Sequence, residues 1–146
     1  MTRHKILSRV LEVKEFTTEQ LEAEVKKARE RLDHEQAALD GFEQQHRTTC
    51  GEFTDRQTRG MLPVREMELY YVYIKHLGKQ IEQQKRIVEI RREDVDVRQQ
   101  ALVEAYKEQR LVGKLQDRIA GHEARQAGQA EQKEQDYAFI SRRGAQ

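Results

Sequence analysis

Glu43 and His46 form a Glu-x-x-His pair, which puts a carboxylate and an imidazole on one face of a helix. Carboxylate-bridged di-iron bundles use that spacing, but they need a second such pair and further glutamates pointing inward from facing helices. No second pair occurs in the sequence, so a metal centre would require two copies to meet through Glu43 and His46. His4, His34, His76 and His122 have no companions at metal-ligand spacing. Cys50 is the single cysteine, which rules out an intrachain disulfide and suits a reducing cytoplasm. Basic pairs at Lys85-Arg86, Arg91-Arg92 and Arg142-Arg143 could touch phosphates, yet Glu82, Glu89, Glu93 and Asp94 flank the first two and oppose their field. There is no glycine-rich phosphate loop, nucleophile elbow or catalytic carboxylate pair. The chain reads as a non-enzyme that takes no cofactor, no metal and no nucleic acid.

Composition points to interaction instead. The 146 residues are 36% hydrophobic and 36% charged, with mean hydropathy -0.98, no Trp and one Pro. Such a chain cannot enclose a large globular core, but it can bury one long stripe. Glu, Gln, Lys, Arg, Ala and Leu dominate, and these residues lose little rotamer freedom in a helix. With 27 basic and 26 acidic residues the net charge is +1, so no global field recruits a polyanion or a membrane. Ile6 to Val13 is broken by Arg9 and Glu12, unlike the apolar core of a signal peptide, and no run has transmembrane length. A soluble protein is expected.

The elements follow from periodicity. Met67, Ile74, Ile81, Val88, Val95 and Leu102 recur every seven residues, a period that stays in line only when the helix supercoils around a partner. Tyr70, Leu77, Gln84, Arg91, Arg98, Ala105, Val112 and Ile119 complete this a/d seam, whose middle is polar. A second heptad pattern runs through Leu7, Leu11, Leu21, Val25, Ala28, Leu32, Leu39, Phe42 and Phe53. Thr17-Thr18-Glu19-Gln20 matches a capping box, but the heptad phase passes through it unchanged, so one helix is predicted from about Thr2 to Thr58. Its length would be roughly 80 Å at about 1.5 Å per residue.

Arg59-Gly60-Met61-Leu62-Pro63 is the one place where Gly and Pro sit close together. Gly60 suits the left-handed position past a helix end, and Pro63 the first turn of the next helix. The predicted fold is therefore all-α. Two long helices form an antiparallel coiled-coil hairpin over residues 1–146, with a turn at 59–62 and a longer second helix from Pro63 to about Tyr137. Layering around the turn sets Phe53 against Tyr70 and Phe42 against Ile81, with Leu39 facing Gln84 and Leu32 facing Arg91. A buried polar layer costs stability but fixes register, and Glu35 is expected to reach Arg91. Beyond about residue 120 the second helix has no partner left, and an unpaired helix of that kind frays.

Tyr70-x-x-Tyr73-Ile74-x-x-Leu77-x-x-x-Ile81-Glu82-x-Gln84 opens the second helix, and Glu131-Gln132-Lys133-Glu134-Gln135-Asp136 lies near the C-terminus. Together with the turn position and helix lengths, these runs resemble the flagellar FliJ family over most of the chain. Family members commonly carry an acidic residue after the aspartate, where this chain has Tyr137. The resemblance implies a cytoplasmic stalk and general chaperone of the flagellar type III export apparatus, peripherally associated with the inner membrane. Its implied partners are the hexameric export ATPase, the membrane protein of the export gate, and export chaperones. A stalk of a virulence-type secretion system shares the architecture, and a generic self-assembling coiled coil is the remaining alternative.

Tyr73, Leu77, Gln80 and Gln84 form one stripe at helical spacing, and the resemblance implies that it faces the gate and the ATPase. Leu77 and Gln84 also occupy seam layers, so the stripe competes with the core for them. Ile90 and Val97 fall off the seam on the outer side and are expected to make a docking or oligomer contact, whereas Ile87 reads as a seam flank. A monomer is expected.

Overall fold

The computed structural model describes residues 3–144, which form two helices: α1, Arg3–Thr58, of 56 residues, and α2, Val64–Gly144, of 81. No strand occurs among the described residues. The expected start at Thr2 lies outside them. The second helix is the longer, as its uninterrupted heptads require. At the capping-box candidate, Thr17 donates its hydroxyl to the carbonyl of Val13 at 3.0 Å, the back-bond of a threonine inside a helix.

Gly60 has φ +69°, the left-handed conformation open to glycine without a Cβ penalty. The Met61 N–H donates to the Arg56 carbonyl at 3.1 Å and the Gly60 N–H to the Gln57 carbonyl at 3.2 Å, the two bonds of a Schellman cap. Pro63 accepts at its carbonyl from the Met67 N–H at 3.0 Å, so it caps α2 from just outside rather than standing within its first turn. Its carbonyl serves the helix although its nitrogen has no proton to give. Beside the turn, Phe53 packs against Tyr70 and Tyr71 with ring centroids 5.5 and 5.4 Å away. The Arg56 guanidinium lies 5.7 Å from the Tyr70 ring centroid and pairs with Glu66. Hydrogen bonds to Tyr70 and then Glu66 push its pKa above the usual arginine value.

By internal contacts the chain divides into two compact units, Leu21–Ala101 and Met1–Gln20 with Leu102–Gln146. The first contains the turn and is an antiparallel hairpin holding every buried hydrophobic residue: Val25, Ala28, Leu39, Leu77, Ile81, Val88 and Val95. Leu39, Ile81 and Val88 cluster at its centre, with Leu32 and Phe42 packed against them. In the second unit Thr18 alone is buried among the described residues, its hydroxyl 2.8 Å from the Lys14 carbonyl and 2.9 Å from the Gln109 side-chain oxygen. Gln116 donates to the Ser8 hydroxyl at 2.7 Å, and Lys14 pairs with Glu108 at 2.8 Å. Polar contacts replace apolar burial there, with Thr18 meeting Gln109 and Ser8 meeting Gln116. α2 continues to Gly144, past the Tyr137 where its end was expected, and residues 122–144 are exposed throughout. Strong helix formers with no proline carry it on, and the Arg143 guanidinium stacks 5.6 Å from the Phe139 ring centroid one turn earlier.

Candidate functional site

The stripe expected on the opening turns of α2 separates into two pairs. Leu77 is only 2% exposed and Gln84 only 7%, both held between the helices. Tyr73 is 39% exposed, and its hydroxyl accepts a hydrogen bond from the Gln45 side-chain amide of α1. Gln80 is half-buried. A docking surface there can use Tyr73 and Gln80, but Leu77 and Gln84 are removed from it by the seam. The spacing places all four on one arc, and only the partner helix decides which part of that arc it covers.

Ile90 and Val97 are 63% and 65% exposed, on the side of α2 away from α1. Two branched side chains at seven-residue spacing form a short apolar strip that the protein itself does not cover. Ile87, 39% exposed, stands at the flank of the seam as a single surface apolar residue.

The polar layer differs from the expected Glu35–Arg91 pair. Gln84 donates from Nε2 to the Glu35 carboxylate at 2.6 Å and to the Glu35 backbone carbonyl at 2.9 Å. No ion pair joins Glu35 to Arg91, although both line one groove. Gln84 sits inside the seam beside Glu35, whereas Arg91 lies a heptad further along α2, and a short buried amide outcompetes a long solvated guanidinium for that carboxylate. Arg98, the next polar layer, snorkels outward to Asp94 at 3.1 Å and Glu24 at 3.2 Å.

Glu43 and His46 acquire no further ligands. His46 is half-buried with its ring nitrogens 3.9 Å from the Cys50 sulfur, and among the described residues no group of three or more His, Cys, Asp or Glu side chains could hold a metal ion.

A two-helix hairpin with a polar seam, a capped turn and an uncovered C-terminal helix is common to several kinds of stalk and scaffold. A family model described as "Flagellar FliJ protein" matches residues 4–143. The chain belongs to the FliJ family. Searches of curated proteins and of solved structures found no match. As a FliJ family member the chain is a stalk protein associated with flagellar export. No helix among the described residues is long and apolar enough to cross a membrane.

Proposed function

We propose that this FliJ family protein is the stalk of the flagellar type III export apparatus, entering the central pore of the hexameric export ATPase, touching the export-gate membrane protein and escorting export chaperones. The observation that carries this reading is the family match across residues 4–143 of a two-helix hairpin. A stalk acts on its partner by shape, and it needs no catalytic residues of its own. In this reading the protein is a cytoplasmic monomer, held peripherally at the inner membrane by its partners. Tyr73 and Gln80 are its gate-facing contacts, and Ile90 with Val97 a second contact strip.

The deciding experiment incubates the full chain with the purified export ATPase from the same organism. Retention of the ATPase on the immobilised chain, with a faster rate of ATP hydrolysis, is the expected result. Neither retention nor stimulation would overturn the reading, and stimulation of a virulence-type ATPase alone would assign the protein to that system. The uncovered Ile90 and Val97 favour one second reading, a coiled coil that assembles with itself. That reading requires a dimer in analytical ultracentrifugation that Ile90→Ser with Val97→Ser dissolves.

A further inference from the structure

Within the unit that contains the turn, a groove of about 280 Å³ runs between the helices, lined by Lys27, Glu30, Arg31, His34, Glu35 and Arg91. We propose that this groove binds an acidic segment of a partner protein, with Arg31 and Arg91 gripping one carboxylate and Lys27 a second. Arg31 stands on α1 and Arg91 on α2, so their guanidinium groups approach the groove from different helices. Neither they nor Lys27 has an ion pair or hydrogen bond among the described residues.

The acids that could have neutralised Arg91 are engaged elsewhere. Glu35 keeps its charge but turns its carboxylate to the neutral amide of Gln84, and Asp94 pairs with Arg98. Lys27 and Arg31 stand four residues apart on an exposed helix face, where like charges repel unless an anion lies between them. Against the carboxylates Glu30 and Glu35, the three cations Lys27, Arg31 and Arg91 leave the groove with an excess of one positive charge. Arginine presents a planar fork of donors that matches a carboxylate in two-point contact.

The geometry favours a segment over a small ion. Lys27 to His34 spans seven residues, about 10 Å along a helix at 1.5 Å per residue, beyond the reach of a single phosphate. Carboxylates four residues apart on a partner helix lie about 6 Å apart, which matches the step from Lys27 to Arg31. This groove is separate from Tyr73, Gln80, Ile90 and Val97, so the proposal stands whether or not those residues bind the export gate.

The test uses the full chain and a fluorescein-labelled helical peptide with glutamates every fourth residue, followed by anisotropy at about 50 mM salt. Arg31→Gln with Arg91→Gln is expected to weaken binding tenfold or more with helicity unchanged. Lys27→Gln, at an exposed position, should weaken it several-fold. Raising salt to about 200 mM should weaken binding further, as contacts between charges do. Lys85→Gln with Arg86→Gln, on another face, should leave it within twofold. Loss of equal size in that control, an absence of peptide binding, or full displacement by millimolar inorganic phosphate would each overturn the proposal.

Discussion

Gln84 holds Glu35 by two hydrogen bonds across the helix pair, one to the carboxylate at 2.6 Å and one to the backbone carbonyl at 2.9 Å. Hydrogen bonds to charged groups contribute about 1.5 to 3 kcal/mol, and neutral ones about 1. In a double-mutant cycle, Glu35→Ala and Gln84→Ala should couple by about 1 kcal/mol or more, while Glu35→Ala and Arg91→Ala should be additive. Urea unfolding of the unaltered chain, the three single mutants and the two double mutants reads the difference. Equal coupling in both cycles would return Arg91 to the seam as Glu35's partner.

Gly60 and Gly113 should respond in opposite directions to alanine. Neither has an atom within 4 Å of an added Cβ, so backbone conformation alone decides. At Gly60, φ +69° should cost about 1 to 2 kcal/mol. At Gly113, inside α2, alanine should stabilise by up to about 1 kcal/mol. Thermal midpoints of the two variants check the sign.

Leu77 and Tyr73 lie one turn apart, yet they should separate folding from binding. Leu77→Ala opens a cavity in the seam and should cost about 2 to 5 kcal/mol. Tyr73→Ala with Gln80→Ala should leave helicity nearly unchanged and weaken binding to the export gate. Circular dichroism run beside a gate-binding assay tests this, and gate binding equal to that of the unaltered chain would remove Tyr73 and Gln80 from the contact.

Deleting residues 131–146 should leave the fold intact, because every described residue of that stretch is exposed. Stimulation of the export ATPase should fall. Full stimulation by the shortened chain would show that the tail has no part in it.

The Arg56 contribution at the turn should be insensitive to pH across the neutral range. Its folded pKa is raised by Tyr70 and Glu66, so its stabilisation is fully present below the unfolded value and fades only as pH climbs through the higher folded one. The difference in Tm between the native chain and Arg56→Gln is therefore expected to stay constant from about pH 7 to about pH 9, short of the arginine range.

Periodicity by itself determined the helices. Two unbroken heptad patterns on either side of Gly60 and Pro63 admit few solutions other than an antiparallel pair, because short-range spacing controls which face of a helix is apolar. The turn was equally legible, since only glycine takes a left-handed φ without strain. The same periodicity set Phe53 beside Tyr70, which the ring contact at 5.5 Å reproduces. Tertiary structure decided the rest, at positions where two residues competed for one neighbour. Glu35 had both Arg91 and Gln84 within a heptad, and depth in the seam, which no sequence pattern encodes, gave it to Gln84. Leu77 and Gln84 shared a helical arc with Tyr73 and Gln80, and the precise rotation of α2 against α1 buried the first two and left the others within reach of a partner. Arg91, expected to pair with Glu35, was left beside Lys27 and Arg31 because Glu35 turns to Gln84 and Asp94 to Arg98. Side chains of that length reach several neighbours at similar distance, so spacing along the chain narrows their choices and packing across the helices makes the selection.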